Sequence, residues 1–256
     1  MRTITAVIPA RGGSKSIPRK NIVDINGYPL IAYSIATCKL SDRIDRVIVS
    51  TEDEEIASIA RFYGAEVPFV RPVEFAKDES TDVDFLLHFF ENIDVDCAAL
   101  IRPTSPFRDI DFINSVVDKF YDIKDSITGL RTVHEINENP YKVYKVENDI
   151  CKGFFSDYKG IKEYSNLPRQ TFPKAYTGNG HIDIVKKETV KLGSTFGNKI
   201  YPVICKKIVD IDTQDDLELA RLKSGFENNI TNFLLEKKHS HITNFLLERK
   251  KWVKHL

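Results

Sequence analysis

A strand-length apolar run near the start of the chain, Ile4 to Ile8, leads into a loop with paired glycines and several basic residues. A short continuous apolar run is typical of a strand in a buried parallel sheet. Glycines let backbone N–H groups turn towards an anion, and the cations add charge. The loop is therefore predicted to bind a polyphosphate, with an ordinary solvated basic turn as the alternative. It carries Arg11, Gly12, Gly13, Lys15, Arg19 and Lys20.

Strands and helices alternate through the first half of the chain. Apolar runs predict further strands over 46–50, 65–70, 97–101 and 126–131, with amphipathic helices between them. The 97–101 run is apolar throughout, which predicts a central strand. Thr51 and Glu54 form a capping-box pattern that predicts the start of the second helix. This alternation predicts an α/β fold with a Rossmann-like, mostly parallel sheet, and ligands in such sheets bind beyond the carboxyl ends of strands.

The pattern changes after residue 133. Short alternating stretches over 134–174 predict a β-rich insertion. Strands over 176–185, 203–205 and 208–212 and a final helix are predicted beyond it. We therefore predict an α/β core from 1–133 and 175–225, the insertion between them, and a helical or frayed tail over 226–256. The tail repeats the seven residues ITNFLLE at 230–236 and 242–248, which indicates a tandem duplication within an amphipathic helix.

The glycine loop does not match the two best-known phosphate motifs, because it contains neither G-x-G-x-x-G nor the P-loop spacing. Arg11-Gly-Gly-Ser-Lys15 with Pro18-Arg-Lys-Asn21 instead resembles the signature of the acylneuraminate cytidylyltransferases, or CMP-nonulosonate synthetases. The resemblance covers most of residues 1–222 and implies a fold of the nucleotide-diphospho-sugar transferase type. It implies CTP contacts from Arg11, Gly12, Gly13, Ser14, Lys15, Lys20, Asn21, Arg71 and Asp78.

Further segments match the family at its sugar site. Arg102-Pro-Thr-Ser-Pro-Phe-Arg108 resembles the loop between nucleotide and sugar, but many members carry Gln at the position of Arg102. Asp183 likewise replaces an aromatic residue, and the lone His181 is interpreted as structural rather than catalytic. In the family, segment 134–174 is a dimerisation arm that reaches towards the partner's active site. The resemblance implies sugar contacts from Arg102, Thr104, Ser105, Lys142, Arg169, Asn179 and Gly180.

Two acidic residues late in the chain, Asp210 and Asp212, are candidates for a metal site. Their spacing on a strand would place both carboxylates on one face, and carboxylate oxygens suit Mg²⁺. The alternative is that Asp212 only helps to start the last helix, since Thr213 to Asp216 is a helix-start pattern. The family binds its metal with Asp-Ile-Asp. The resemblance therefore implies Mg²⁺ on Asp210 and Asp212, and a catalytic set of Arg11, Lys15, Lys20, Asp210 and Asp212.

Composition limits the other classes of function. Lys+Arg and Asp+Glu both number 37, and zero net charge argues against nucleic-acid binding. The four cysteines are scattered, which predicts a reducing compartment. Neither a leader pattern nor an apolar stretch of about 20 residues is found in the sequence. These features predict a cytoplasmic protein without stable membrane association.

The combined interpretation is an enzyme that transfers CMP from CTP to a nonulosonic acid, acting as a homodimer. Three alternatives stay open: a cytidylyltransferase for the eight-carbon sugar Kdo, a purine-nucleotide enzyme, and a non-catalytic relative that binds nucleotide. Which nonulosonic acid is used (sialic, legionaminic or pseudaminic) also stays open, because Arg102 and Asp183 depart from the family pattern where the sugar is recognised.

Overall fold

The structure is a computed structural model that describes residues 2–223 and 229–238. The strands are β1 (Ile4–Pro9), β2 (Asp24–Ile25), β3 (Tyr28–Pro29), β4 (Ile44–Ser50), β5 (Cys97–Leu100), β6 (Gly129–Glu135), β7 (Tyr144–Glu147), β8 (Ile150–Gly153), β9 (Tyr176–Lys186) and β10 (Ile200–Ile204). The α-helices are α1 (Leu30–Leu40), α2 (Glu54–Phe62), α3 (Asp82–Asn92), α4 (Ile110–Ile123), α5 (Lys187–Lys191), α6 (Gln214–Lys223) and α7 (229–238).

A six-stranded sheet in the order β10-β6-β9-β5-β1-β4 forms the centre of the fold. β1 pairs in parallel with β4 and β5, and β10 pairs in parallel with β6. β9 is antiparallel to both of its neighbours, β5 and β6. The predicted mostly parallel α/β sheet is therefore confirmed, and β5 lies in the interior of the sheet as its apolar sequence indicated.

Helices cover both faces of the sheet. One buried cluster joins one face to α1, α2, α4, α6 and α7, through side chains such as Ile31, Ile56, Ile113 and Leu217. A second cluster joins the other face to α3 and α5, with Phe89 and Val190 among its members. Burial of these apolar faces is the main force that holds the layers together. The carboxyl ends of β1, β4 and β5 remain at one edge, where the site lies.

Two local predictions in the first half of the chain are wrong. Residues 65–70 form no strand and make only a parallel bridge between Glu66 and Ile48. Pro68 in this segment lacks a backbone N–H, so the segment cannot extend a ladder on β4. Helix α2 is capped by Asp53, whose side chain accepts the N–H of Ile56 at 3.0 Å. Thr51 accepts the N–H of Asp53 instead and does not cap the helix.

Segment 134–174 begins within β6 and contains the antiparallel hairpin of β7 and β8. Short 3₁₀ turns make up much of the remainder, so the segment holds less strand than its alternation predicted. A cluster of aromatic rings holds these turns together, with the rings of Tyr141 and Phe172 stacked at a centroid distance of 5.1 Å. The other members are Phe155, Tyr158 and Tyr164.

The first copy of the duplicated ITNFLLE segment lies in α7. Ile230 and Leu234 of this copy are buried against the main core. The second copy, 242–248, lies outside the described residues. Among the helices that the structure describes, none is long and apolar enough to cross a membrane.

Candidate active site

A cleft of about 500 Å³ lies where β1 and β5 end, and its wall includes the glycine loop. We call it the loop cleft. Six basic side chains line it but only two acidic ones, so the cleft attracts anions. The predicted residues that line it are Arg11, Gly13, Ser14, Lys15, Lys20, Asn21, Arg71, Asp78, Arg102 and Thr104.

Asp78 holds two cations of the loop. Its carboxylate lies 2.9 Å from a guanidinium nitrogen of Arg11 and 2.7 Å from Nζ of Lys15. The hydrogen bond from Lys15 is the main cause that lowers the pKa of Asp78 below its ordinary value. Because a carboxylate repels phosphate, this geometry makes Asp78 a residue that positions cations rather than a direct phosphate ligand.

The other loop residues have different roles. The N–H of Gly12 donates to Glu52 at 2.6 Å, and a Cβ on Gly12 would lie 2.6 Å from Oδ2 of Asp53, so a larger residue there would displace the Asp53 carboxylate. The side chain of Asn21 donates to the carbonyl of Arg11 at 2.9 Å and fixes the loop. Arg19, which the sequence grouped with the phosphate cations, pairs instead with Asp53 and Glu55.

Arg71 is buried in the wall of the loop cleft. Its guanidinium donates to the hydroxyl of Ser50 at 3.0 Å and to the Ser50 carbonyl, and it lies over the ring of Phe85. Burial lowers its pKa to about 10, so the side chain remains charged at neutral pH. The end of β4 thus holds a charged guanidinium in one position in the wall of the loop cleft.

Lys20 joins the loop to the late acidic segment. Its Nζ lies 3.0 Å from Oδ1 of Asp212 and donates to the carbonyl of Ile211 at 3.1 Å. Ile211 and Asp212 follow Lys20 by 191 and 192 positions in the sequence. The basic loop after β1 and the acidic segment that follows β10 therefore come into contact through Lys20 and Asp212.

The acidic segment is not the predicted strand, since no ladder forms over 208–212. Ile211 is nevertheless buried, and its N–H donates to the carbonyl of Thr104 at 2.9 Å. Asp210 and Asp212 on either side of it are exposed. The hydroxyl of Ser105, itself fully buried, donates to Asp210 at 3.2 Å. Buried Ile211 thus anchors the segment and leaves the carboxylates of Asp210 and Asp212 exposed to solvent.

Helix α6 does not depend on Asp212 for its cap. Thr213 and Asp216 form a reciprocal pair, in which the Thr213 N–H donates to Asp216 at 2.9 Å and the Asp216 N–H donates to the Thr213 hydroxyl at 3.2 Å. Hydrogen bonds from Thr213 lower the pKa of Asp216. The carboxylate of Asp212 is therefore directed to Lys20 rather than to the helix start.

A second cleft, of about 710 Å³, lies on the other side of the two acids, and we call it the arm-side cleft. It is lined by Asp210 and Asp212, by Asn179, and by residues 134–138 where the arm begins. Five acidic side chains line it against two lysines, so its charge is opposite to that of the loop cleft. The Lys20–Asp212 ion pair forms the border between the two clefts.

The residues predicted to bind the sugar do not all lie in one cleft. Asn179 is buried and donates to Sγ of Cys205 at 2.8 Å, and Gly180 has a φ of +68° that glycine adopts without strain. A Cβ on Gly180 would lie 2.8 Å from the Ser105 hydroxyl, so glycine is required there. Lys142 donates to the carbonyl of Ser165 within the arm, and Arg169 is exposed on it. Neither arm cation lines the loop cleft or the arm-side cleft.

Arg102 and Asp183, which both depart from the family pattern, bind each other. Arg102 donates to Asp183 at 2.9 Å, although the two residues are 81 positions apart. No pattern along the sequence signals this pairing. Only the antiparallel register that places Asp183 opposite Leu100, at the end of β5, brings it beside Arg102.

Arg108, to which the sequence analysis gave no role, and His181, which it interpreted as structural, organise the site. Arg108 is buried and donates to the carbonyls of His181 at 2.6 Å and Gly180 at 2.9 Å, and also to the carbonyls of Ser105 and Arg102. It thereby ties the loop after β5 to β9. His181 accepts the N–H of Asp109 at Nε2, at 3.1 Å. Burial, and then the charge of Arg108, lower the pKa of His181 to about 4, which agrees with a structural role.

Asp210 and Asp212 fit a magnesium ion that is shared with a nucleotide. Within the described residues, no group of three or more His, Cys, Asp and Glu side chains could enclose a metal. Mg²⁺ does not need such an enclosure, because it is usually held by one or two carboxylates together with substrate phosphates and water. The donor set and its position beside the cationic loop cleft match that pattern.

Comparisons with known proteins agree with this geometry. The family model described as cytidylyltransferase matches residues 5–152. The chain is 43% identical over 232 residues to CMP-N,N'-diacetyllegionaminic acid synthase of Legionella pneumophila, covering 85% of this chain and 94% of that protein. It is 33% identical over 252 residues to N-acylneuraminate cytidylyltransferase of Escherichia coli, covering 93% of this chain but only 58% of the relative.

A solved structure shows the same fold at low sequence identity. CMP:2-keto-3-deoxy-manno-octonic acid synthetase, determined in complex with CTP, superposes with a TM-score of 0.65 at 17% identity. The match covers 86% of this chain and 97% of that structure. With the family match and the identities to curated relatives, this chain belongs to the cytidylyltransferase family.

Proposed function

We propose that the protein activates a nonulosonic acid by the reaction CTP + nonulosonate → CMP-nonulosonate + pyrophosphate. The observation that carries this proposal is the 3.0 Å ion pair between Lys20 and Asp212. It joins a cationic cleft suited to a triphosphate to an acidic pair suited to a divalent cation. The relatives named CMP-N,N'-diacetyllegionaminic acid synthase and N-acylneuraminate cytidylyltransferase support the sugar class.

The loop cleft would bind the triphosphate, with Arg11, Ser14, Lys15 and Lys20 facing its oxygens. Asp78 positions Arg11 and Lys15 before the nucleotide arrives. Arg71 adds a fixed positive charge to the wall of the loop cleft, and Asn21 holds the glycine loop in place. Positioning and charge neutralisation supply most of the rate enhancement in such transfers, since the phosphoryl group itself needs little covalent help.

In the reaction, the anomeric hydroxyl oxygen of the keto sugar attacks the α-phosphorus of CTP. The bond from the α-phosphorus to the oxygen that bridges it to the β-phosphorus breaks, pyrophosphate leaves, and the hydroxyl proton passes to solvent. Lys20 neutralises charge that develops on the α-phosphate. Asp210 and Asp212 would hold Mg²⁺, which when bound neutralises phosphate oxygens.

We further propose that the active unit is a homodimer. The arm exposes apolar side chains, including Tyr144, Val146, Ile150 and Phe154, which a partner would cover. Lys142 and Arg169 lie on this arm, away from both clefts of their own chain. In a dimer they would reach the partner's acidic arm-side cleft and supply the positive charge that a sugar carboxylate requires.

The proposal is tested by incubating the protein with Mg²⁺, one nucleotide and one keto sugar, and by measuring pyrophosphate and nucleotide-sugar formation. We expect a CMP-sugar only with CTP and a nine-carbon acid such as legionaminic or sialic acid. Product from Kdo, or from ATP or GTP, would identify one of the alternative nucleotidyltransferases. Tight CTP binding without turnover of any sugar would indicate a non-catalytic relative.

A further inference from the structure

Four charged side chains alternate in sign from the wall of the loop cleft into the sheet. Asp82 and Arg102 line the cleft, and Arg102 donates to both Asp82 and Asp183. Arg131 lies behind, with Nε 3.8 Å from Oδ2 of Asp183. We call this set the charged row.

Asp183 is the buried centre of the charged row. Its side chain is 1% exposed, and its Oδ1 accepts the N–H of Thr132 at 3.3 Å. Burial raises the pKa of Asp183, against the opposing pull of Arg102 and Arg131. A buried carboxylate is stable only when it is paired, so Asp183 keeps the Arg102 guanidinium in one position.

Arg102 itself remains open to a ligand, because 27% of its side chain is exposed. It begins the loop whose Thr104 carbonyl holds Ile211 between the two site acids. The guanidinium therefore lies on the same loop that holds the acids, beside which the reacting sugar oxygen must arrive. Its remaining N–H groups can donate to the ligand, and Arg has no acceptor.

The charge of Arg102 is already balanced. Two carboxylates, Asp82 and Asp183, contact it directly, so a ligand carboxylate would meet little net attraction there. An uncharged acceptor, such as the carbonyl oxygen of an N-acyl group, accepts an N–H without that repulsion. Arginine at this position thus offers a fixed donor rather than a free positive charge.

We propose that Arg102 recognises an uncharged acceptor on the keto sugar, with Asp183 as the residue that positions it. This inference rests on the proposed function and concerns the same site. The sugar carboxylate is then bound elsewhere, and the Arg102–Asp183 pair determines which acylated sugar fits.

The test measures kcat and KM for the sugar and for CTP in Arg102→Gln, Arg102→Lys, Asp183→Asn and the double variant Arg102→Gln/Asp183→Asn. We expect kcat/KM for the sugar to fall about 10- to 100-fold in each single variant, as for loss of a charged hydrogen bond. The KM for CTP should change less than about threefold. In the double variant, kcat/KM for the sugar should fall no further than in the more impaired single variant, because each change already breaks the Arg102–Asp183 pair.

Arg102→Lys separates recognition by a fixed donor from recognition by charge. Lysine keeps the charge but cannot bridge both carboxylates, so we expect it to be as impaired as Arg102→Gln. A wild-type sugar KM in Arg102→Lys would show that charge alone suffices and would overturn the proposal. A loss that falls equally on CTP would overturn it as well.

The matched control is Arg43→Gln/Asp118→Asn, which removes a surface ion pair between Arg43, just before β4, and Asp118 of α4, with an N–O distance of 2.8 Å. It should leave both KM values unchanged. Thermal unfolding of all variants checks the fold. A lowered melting temperature with wild-type sugar kinetics would make the charged row purely structural and contradict the inference. If the wild-type protein forms no CMP-sugar at all, the proposed function fails instead.

Discussion

The loop cleft and the arm-side cleft share a border at Lys20 and Asp212 but differ in charge and in completeness. Basic side chains dominate the first and acidic ones the second. The loop cleft contains cations, their positioning acid Asp78 and the buried Arg71, all from one chain. The arm-side cleft would repel an acidic sugar unless cations come from elsewhere. We therefore propose that one chain suffices for the nucleotide, whereas the sugar requires a second copy.

The largest effect should follow from Lys20→Ala, which removes the cation at the border of the clefts. Loss of one preorganised charge at the reacting phosphate should lower kcat about 100- to 1,000-fold, measured by pyrophosphate release. The matched control is Arg19→Gln, the adjacent cation that pairs with Asp53 and Glu55 outside the cleft. It should retain most of the activity. Full activity in Lys20→Ala would disprove the assignment of the loop cleft.

Whether the sugar site needs residues from a second chain is tested by subunit complementation. In a heterodimer of Lys20→Ala and Arg169→Ala chains, one site carries both changes and the other carries neither, if Arg169 acts on the partner's cleft. We expect about half of the wild-type activity from two nearly inactive parents.

The control heterodimer combines Lys20→Ala with Asp212→Asn, two changes that act on the same chain's site. It should show no recovery, because each of its sites carries one defect. Absence of recovery in the first heterodimer as well would show that Arg169 acts within its own chain or not at all.

A smaller effect is expected from Arg108→Lys, which tests the residue that supports both clefts. Lysine cannot reach all the carbonyls that the buried guanidinium serves. We expect the free energy of unfolding in urea to fall by about 3 kcal/mol. Arg43→Lys on the surface should change it by less than about 0.5 kcal/mol. Equal effects of the two variants would show that Arg108 does not organise the site.

The smallest effect concerns pH. Burial, and then the charge of Arg108, lower the pKa of His181 to about 4 from 6.5. Its contribution to stability is therefore full above pH 6.5 and is lost as the pH falls towards 4. We expect a loss of about 2 kcal/mol over this range. His181→Gln should show a shallower pH dependence of unfolding, and an unchanged slope would contradict this role.

Much of the fold could be predicted from the sequence because its signals are local. Apolar runs indicated β1, β4 and β5, and the helix periodicity indicated α1 and α4. The predicted strand over 65–70 was wrong because Pro68 limits pairing. The reversed direction of β9 depends on contacts between distant segments, which periodicity does not encode.

In the candidate site, too, some features have local sequence signals and others depend on contacts between distant segments. Asp210 and Asp212 stood out by their spacing, and the structure places Asp212 beside Lys20 and Asp210 beside Ser105. The pairing of Arg102 with Asp183 and the carbonyls bound by Arg108 required the folded chain, because each joins β9 to the loop after β5. The roles of Lys142 and Arg169 stay predictions, since one chain places neither beside a cleft.

The central claim is that the loop cations and the late acids act on one nucleotide tail. Calorimetry of CTP binding, with and without Mg²⁺, tests it in the wild type, Lys20→Ala and Asp210→Asn/Asp212→Asn. We predict that Mg²⁺ strengthens CTP binding in the wild type and that the double acid variant loses this gain. Lys20→Ala should weaken CTP binding in both conditions. An unchanged Mg²⁺ effect in the acid variant would contradict the claim.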